Sequence, residues 1–281
     1  MSELRWHPLL EQWAITATHR PDRTFLPPEG YCPLCPTRPG GFPTEIPAED
    51  FDIVVFENRF PSLQASPPPP AVEGSDLWPV GPASGACEVV VYSPEHRGSL
   101  GALPVSRVRN LLSVWRDRYL DLGSRPGVRY VLVFENRGEA VGVTLPPPHG
   151  QIYAFPWVPP VAERELAAFR EHRRRTGRCL LCDSLAAERA DGRRLIVEGE
   201  RHLAWVPFHA RYPYEAWIAP LAHQASMAEW TAEDERDLAA VLKGLLERYD
   251  ALFGKPFPYV MVVHQAPTGG AAPEGHLHLE L

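Results

Sequence analysis

The sequence lacks any long apolar stretch. No run of about 18 apolar residues, the length that crosses a bilayer as a helix, occurs in the 281 residues, and no apolar signal region follows Met1. Basic residues are fewer than acidic ones, which gives a formal net charge of −7. Because nucleic-acid binding requires a basic face, we do not expect the protein to bind a nucleic acid. The lack of an apolar span and of a signal region predicts a cytoplasmic protein that does not bind a membrane.

Cysteine is scarce, and its placement is informative. Of the five cysteines, four form the pairs Cys32/Cys35 and Cys179/Cys182, while Cys87 stands apart. In a reducing compartment, Cys-x-x-Cys pairs are typical of metal ligands or redox dithiols and not of structural disulfides. A redox pair of the thioredoxin type lies where a strand turns into a helix. Neither pair has that sequence context, so the sequence favours metal binding.

The second half of the chain repeats the order of the first. Each half has a Cys-x-x-Cys pair, a strand followed by a histidine, a helix, a second strand and a final histidine. Tyr259 follows Tyr130 by 259 − 130 = 129 residues, and His278 follows His149 by 278 − 149 = 129 residues. Because an internal repeat indicates two copies of one supersecondary unit, we expect the halves to fold alike.

Apolar residues recur with helical spacing at the same place in each half. The pattern predicts one helix from the N-cap Ser106 to about Leu122 and another from the N-cap Thr231 to about Phe253. A further helix is predicted between the halves, over residues 161–175.

The segment Pro148-His149-Gly150-Gln151 carries the candidate chemistry. Proline stiffens the approach to the histidine, and glycine allows another backbone or a phosphate to come close. A neutral imidazole has a nitrogen that can attack a phosphoryl group, and Gln151 can orient a phosphate oxygen. By itself, the pattern fits a structural histidine as well.

Further motifs accompany this segment in both halves. They are Pro8-Leu9…Gln12-Trp13, His19-Arg20-Pro21…Arg23, Phe56-Glu57-Asn58-Arg59-Phe60-Pro61, Ser93-Pro94-Glu95-His96, Phe134-Glu135-Asn136-Arg137-Gly138, Gly142-Val143-Thr144, Ile152-Tyr153-Ala154 and His264-Gln265-Ala266-Pro267. Over nearly the whole chain, the set resembles the galactose-1-phosphate uridylyltransferase family of the histidine-triad superfamily.

The resemblance implies a UDP-glucose–hexose-1-phosphate uridylyltransferase that works by ping-pong transfer through a covalent nucleotidyl-histidine. His149 corresponds to the family's nucleophile, and Gln151 corresponds to the residue that contacts the transferred phosphate. The other substrate-binding positions that the resemblance implies are Arg20, Arg23 and Asn58 for the nucleotide, and Asn136 and Thr144 for the diphosphate. By residue type alone, the two asparagines also fit turns.

The resemblance also implies zinc in the first half of the chain. Cys32, Cys35 and His96 correspond to three ligands of the family's structural zinc site. Two thiolates with imidazole suit tetrahedral zinc. The fourth ligand of the family is a histidine at the position of Pro147, which has no ligating side chain.

Two ligand sets compete for a second metal, which is zinc or iron. The favoured set resembles the second zinc site of ADP-sugar phosphorylases and consists of Cys179, Cys182, His223 and His276. The alternative set resembles the second metal site of bacterial uridylyltransferases and consists of Glu165, His264, His276 and His278.

The predicted fold class is α+β, with two histidine-triad-like repeats that form a mostly antiparallel sheet with flanking helices. The first repeat is assigned to residues 1–170 and the second to residues 171–281, and the Pro-rich residues 65–85 are predicted as a surface loop. By resemblance, we expect a homodimer that binds a nucleotide sugar and a hexose 1-phosphate.

Two other functions stay open. The second cysteine pair favours a nucleotide-sugar phosphorylase or adenylyltransferase of the ADP-sugar type. Pro147, and the end of the chain at Leu281 where family members continue, favour a non-catalytic nucleotide- or metal-binding histidine-triad protein.

Overall fold

The computed structural model describes residues 2–17 and 30–281, which contain short strands and four α-helices. The strands are β1 (Ser2–His7), β2 (Gln12–Ala17), β3 (Val54–Glu57), β4 (Val80–Pro82), β5 (Ala86–Val91), β6 (Tyr130–Arg137), β7 (His149–Phe155), β8 (Leu195–Glu198), β9 (His202–Trp205), β10 (Trp217–Pro220), β11 (Tyr259–His264) and β12 (His278–Glu280). The helices are α1 (Val105–Gly123), α2 (Pro160–Thr176), α3 (Leu180–Asp191) and α4 (Ala232–Leu252).

One large sheet organises the described residues. Its nine strands have the order β3-β5-β7-β6-β11-β12-β10-β9-β8, and a smaller sheet has the order β2-β1-β4. Every neighbouring pair in the large sheet runs antiparallel. The predicted α+β fold with a mostly antiparallel sheet is confirmed.

The two halves of the chain meet at the centre of this sheet, where β6 pairs with β11. Met261 lies opposite Glu135 at the middle of the pair, and Phe134 lies opposite Val262. Moving outward, the strands are β6-β7-β5-β3 on one side and β11-β12-β10-β9 on the other. The sheet therefore relates the two halves by an approximate two-fold axis through the β6–β11 pair.

The alignment of the repeated strands by a spacing of 129 is wrong by one residue. Val131 and Tyr259 both lie in the core beneath α1 and α4, while Tyr130 faces the opposite side of the sheet. Since a shift of one residue moves every side chain of a strand to the other face, Tyr259 corresponds to Val131, at a spacing of 259 − 131 = 128. The spacing of 129 still fits His149 and His278, because each places its Nδ1 against the backbone carbonyl two residues earlier.

The helices α1 and α4 cover one face of the sheet, as their apolar stripes predict. Thr231 is the N-cap of α4: its hydroxyl accepts from the Asp234 backbone N–H, and the Asp234 carboxylate accepts from the Thr231 backbone N–H. Ser106 is not the N-cap of α1. That position belongs to Pro104, whose fixed φ suits the extended conformation that an N-cap requires.

The predicted helix between the halves is α2, whereas α3 was not predicted. Only a narrow set of α3 residues is buried, namely Leu181, Leu185 and Glu188, so the apolar periodicity is weak. Cys179 is the N-cap of α3, which places Cys182 in its first turn. This pair starts a helix, but the preceding element is the helix α2 and not a strand. The second pair therefore does not lie at a strand-to-helix turn, as expected.

The surface loop predicted over residues 65–85 contains one short strand, because β4 pairs with β1. The β1–β2 hairpin was not predicted, and the rings of Trp6 and Trp13 pack edge to face across it at 5.5 Å. None of the helices in the described ranges has both the length and the apolar character that crossing a membrane requires. The division of the chain at residue 170 stays a prediction.

Candidate active site and metal clusters

His149 is the first residue of β7, directly after three consecutive prolines, and it lies opposite Val91 of β5. Its Nδ1 is 2.7 Å from the carbonyl oxygen of Pro147. Because a carbonyl can only accept, Nδ1 carries the proton and Nε2 of the neutral ring carries the free lone pair. Burial lowers the pKa of His149 below 6.5, so the ring is a neutral nucleophile at physiological pH.

Only glycine fits at position 150, directly after this histidine. A Cβ built at position 150 would lie 2.1 Å from the Tyr92 hydroxyl oxygen and 3.0 Å from the Phe134 carbonyl oxygen. The close approach expected at this glycine is therefore confirmed, and the approaching group is a buried side chain. The sequence did not reveal Tyr92, which follows β5 and has no motif of its own.

Gln151 is held by its amide oxygen. Its Oε1 is 3.5 Å from Nδ2 of Asn58 and 3.4 Å from the Tyr153 hydroxyl, and both of these groups donate to it. The Gln151 amide NH2 group therefore stays available to donate to another acceptor. Asn58 also forms the turn that its residue type suggested, since its Oδ1 accepts from the Phe60 backbone N–H at 2.9 Å.

Two cavities meet at His149. The smaller has a volume of about 220 Å³. Its apolar lining includes Leu34, Phe56, Phe60, Val89 and Leu145, and its polar lining includes Asn58, His149 and Gln151. The larger has a volume of about 690 Å³, and its lining includes Arg97, Asn136, Arg137, Thr144 and His149. An imidazole in the wall of both cavities can reach a ligand that extends from one into the other.

The remaining predicted substrate-binding residues divide into two groups. Asn136 and Thr144 line the larger cavity. Asn136 lies within β6, so it is not a turn residue. Arg20 and Arg23 lie outside the described residues. Arg97, which also lines the larger cavity, was missed by sequence reasoning although it directly follows the predicted metal ligand His96.

A buried carboxyl forms part of the wall of the larger cavity. Glu135 is 3% exposed, and the Tyr259 hydroxyl donates to its Oε1 at 2.8 Å. Burial raises the pKa of Glu135 to about 7, against the lowering effect of the tyrosine hydrogen bonds. Beside it, Arg137 forms a two-point ion pair with Asp250, at 2.7 Å and 3.0 Å. The guanidinium is therefore neutralised, which leaves Arg97 as the cation of this wall.

The first predicted metal set is assembled in the structure. The ligand atoms of Cys32, Cys35 and His96 all lie within 4.8 Å of one another, and Cys35 Sγ is 3.1 Å from His96 Nδ1. Burial, together with Cys32, raises the pKa of the Cys35 thiol to about 12. A bound divalent cation reverses this preference, because the metal ligand is the thiolate.

The second cluster combines two thiols and two imidazoles, from Cys179, Cys182, His223 and His276. Nδ1 of His276 is 3.4 Å and 3.5 Å from the two sulfur atoms. The Nε2–H of His276 donates to the Pro220 carbonyl at 3.0 Å, and that of His223 donates to the Pro273 carbonyl at 2.8 Å. Backbone partners of this kind fix the tautomer and leave the other nitrogen free for a metal. The donors therefore fit tetrahedral zinc.

The alternative set is assembled without His276. The ligand atoms of Glu165, His264 and His278 form a cluster of their own, because the His276 ring faces the cysteines. His264 Nδ1 is 3.0 Å from one Glu165 oxygen. His278 donates from Nδ1 to the His276 carbonyl, and its Nε2 has no hydrogen-bond partner within the described ranges. The two competing sets therefore occupy separate places and do not exclude each other.

Comparison with known proteins gives consistent matches along the chain. The N-terminal domain family of galactose-1-phosphate uridyl transferase matches residues 1–159, and the C-terminal domain family matches residues 165–281. The galactose-1-phosphate uridylyltransferase of Thermotoga maritima is 40% identical over 267 residues, which cover 95% of this chain and 81% of the relative. That of Streptomyces lividans is 37% identical over 277 residues, which cover 98% of this chain and 73% of the relative.

A solved structure of a uridylyltransferase is similar over the same extent. The TM-score is 0.88 at 34% sequence identity, with 99% of this chain and 85% of the other chain covered. Sequence and structure therefore agree over both halves, and the chain belongs to the galactose-1-phosphate uridylyltransferase family.

Proposed function

We propose that the protein transfers a uridylyl group from UDP-glucose to a hexose 1-phosphate through a covalent nucleotidyl-His149 intermediate. The observation that carries the proposal is the position of His149 in the wall between a largely apolar cavity and a larger cavity with more polar groups. A nucleotide sugar has the same division, since a flat base and a hydroxylated sugar lie on opposite sides of its diphosphate. The reacting phosphorus then lies beside the imidazole.

The smaller cavity suits the base and ribose of the nucleotide. Phe56 and Phe60 provide aromatic surface against which a base can stack, while Asn58 provides amide groups at the same wall. The larger cavity suits the sugar phosphate, because Asn136 and Thr144 can donate hydrogen bonds and Arg97 can balance the negative charge.

In the first half-reaction, Nε2 of His149 attacks the α-phosphorus of UDP-glucose. A phosphorus–nitrogen bond forms, and the bond from this phosphorus to the bridging oxygen breaks, so that glucose 1-phosphate leaves with the electron pair. The Pro147 carbonyl holds the Nδ1 proton at 2.7 Å and stabilises the positive charge that develops on the ring.

In the second half-reaction, a phosphate oxygen of the hexose 1-phosphate attacks the same phosphorus. The phosphorus–nitrogen bond breaks, and the imidazole leaves with its lone pair restored. The Gln151 amide NH2 donates to the non-bridging oxygens in both steps, because Asn58 and Tyr153 already occupy its carbonyl oxygen.

We also propose that the two Cys-x-x-Cys clusters hold zinc. When bound, zinc supplies a cross-link between segments that are far apart in sequence. In the first half it joins residues 32–35 to His96, close to the smaller cavity. In the second half it joins the start of α3 to His223 and His276.

The proposed assembly is a homodimer, as the family implies. A groove of about 760 Å³ lies on the sheet face opposite α1 and α4, and Leu132, Val260 and Val262 are part of its lining. Val260 remains 45% exposed although it lies near the centre of the sheet. A second copy that packs on this face would cover these apolar side chains. The cytoplasmic location stays a prediction.

One alternative deserves a direct comparison, namely a phosphorylase that acts on ADP-sugars with inorganic phosphate as acceptor. The assembled Cys179 cluster favours it, since this ligand set resembles the second zinc site of such enzymes. The covalent chemistry at His149 is the same in both cases, and the base of the donor separates them.

The test uses UDP-glucose and ADP-glucose that carry 32P at the α-phosphate. We expect UDP-glucose to give an acid-labile labelled protein and one equivalent of glucose 1-phosphate. His149→Asn abolishes the label, and the exposed His209→Asn serves as the matched control with unchanged labelling. Labelling by ADP-glucose alone would favour the phosphorylase. Absence of label from both donors, without release of glucose 1-phosphate, would refute the covalent mechanism.

A further inference from the structure

The two Cys-x-x-Cys clusters differ by one ligand, and the chain itself shows which one. The second cluster has four ligand residues, of which the last is His276, two residues before His278. The backbone carbonyl of His276 accepts from His278 Nδ1 at 3.0 Å, and the carbonyl of Pro147 accepts from His149 Nδ1 at 2.7 Å. Pro147 therefore occupies, in the first half, the structural position of the ligand His276.

No other side chain replaces the missing ligand in the described part of the chain. The first cluster contains Cys32, Cys35 and His96, and no further His, Cys, Asp or Glu ligand atom in residues 2–17 or 30–281 joins it within 4.8 Å. His96 is exposed, so water reaches the cluster directly. A zinc ion, however, takes four ligands in this kind of site.

We propose that the Cys32–Cys35–His96 cluster binds its metal through three protein ligands and leaves the fourth position for an exchangeable ligand, either water or a small anion. The proposal rests on the zinc binding proposed above. Three protein ligands with one open position distinguish reactive zinc sites from the closed, four-ligand structural sites. The first cluster is thus open, and the Cys179 cluster is closed.

The surroundings of the first cluster favour an anionic ligand. Arg97 directly follows the ligand His96 and lines the larger cavity. Pro147 and Pro148 line the same cavity, as does His149. Pro147, which supplies no ligand to the metal, therefore also lines the cavity proposed for the sugar phosphate. The guanidinium of Arg97 lies in the same wall.

The position of Pro147 also separates two functions that a histidine would combine. Its carbonyl oxygen orients His149, as the carbonyl of His276 orients His278. Its ring, by contrast, offers no lone pair to a metal. A substitution at this site can therefore restore a fourth ligand without removing the hydrogen bond that orients the nucleophile.

The experiment replaces zinc by Co²⁺, whose visible absorption reports the number and kind of ligands, and titrates the full-length protein with azide. We expect azide to change part of the wild-type d–d spectrum. The response should disappear in Cys32→Ser and persist in Cys179→Ser, which is the matched control from the closed cluster. Pro147→His should abolish the response and strengthen retention of Co²⁺ against a chelator by about tenfold or more, the size that even an outer hydrogen-bond partner contributes to metal affinity.

Three results would overturn the proposal. A wild-type spectrum that azide does not change means that the fourth position is filled. A response that persists in Cys32→Ser belongs to another cluster. Equal Co²⁺ stoichiometry in wild type and Cys32→Ser means that the first cluster binds no metal. These readouts measure the metal's spectrum or its binding, so they are independent of uridylyl transfer. If Pro147→His fails to fold, the comparison of Cys32→Ser with Cys179→Ser still shows whether azide binds at the first cluster.

Discussion

Substitution of Gly150 by alanine tests the packing behind the nucleophile. The added Cβ would lie 2.1 Å from the Tyr92 hydroxyl oxygen, whereas non-bonded heavy atoms prefer about 3.5–4.0 Å. Neither group can withdraw easily, because Gly150 is paired in the sheet and Tyr92 is fully buried. Overpacking of this kind costs about 1–3 kcal/mol, and we expect the upper end of that range.

A second substitution, at Tyr92, should remove the atom with which the new Cβ overlaps. Tyr92→Phe removes the hydroxyl, after which the nearest groups to the new Cβ are the Phe134 carbonyl oxygen at 3.0 Å and the ring carbon of residue 92 at 3.2 Å. These contacts are tight but tolerable. The double variant Gly150→Ala/Tyr92→Phe should therefore regain about half of the lost stability, a coupling larger than the 0.3–0.5 kcal/mol within which independent effects add.

The assay is thermal unfolding at fixed zinc concentration, since a bound metal shifts the melting temperature. At about 2–4 °C per kcal/mol for a chain of this size class, Gly150→Ala should lower the Tm by roughly 6–12 °C and should abolish labelling by UDP-glucose. Gly98→Ala is the matched control, because its Cβ would meet nothing closer than the Pro148 ring at 3.6 Å. If the effects of Gly150→Ala and Tyr92→Phe simply add, the steric explanation is refuted.

Three other results are expected. Burial lowers the pKa of His149, so protonation should slow labelling only as the pH falls below 6.5, and a rate that is half-maximal above that pH would contradict a neutral nucleophile. Cys179→Ser should reduce the zinc content, measured by mass spectrometry, by one equivalent, while Cys87→Ser, at the cysteine outside both Cys-x-x-Cys pairs, leaves it unchanged; equal content in both would disprove the second zinc site. Val260→Arg should convert the proposed dimer to a monomer in light scattering, and an unchanged dimer mass would place the interface elsewhere.

The sequence alone predicted those features that depend on residues close together in the chain. The apolar stripes of α1 and α4 and the capping pair of Thr231 and Asp234 depend on residues three or four apart, so their spacing is readable directly. Ser106 was wrongly predicted as the N-cap of α1 because serine is a common capping residue. Pro104, two residues earlier, has the extended conformation of the N-cap. The strand spacing of 129 was wrong because two tyrosines matched by type while their side chains point to opposite faces.

The features that sequence could not resolve depend on contacts between distant elements. His276 was claimed by two ligand sets, and the direction of its ring is fixed by the carbonyl of Pro220, which lies 56 residues away. The requirement for glycine at position 150 arises from Tyr92, on a neighbouring part of the sheet. The resemblance supplied the chemistry of His149, but only the fold shows two cavities that meet there.

The pairing of β6 with β11 also determines the order of events during synthesis. Val133 pairs with Val263, which is 263 − 133 = 130 residues later in the chain. At about 5–20 residues per second, the ribosome takes roughly 6–26 s to supply that partner. During this interval the first half can form its own strands, but the edge of β6 that later pairs with β11 presents unpaired backbone groups of the kind that recruit strands from other chains. The duplicated architecture thus has a vulnerable period during translation, and faster closure of the central pair would shorten it.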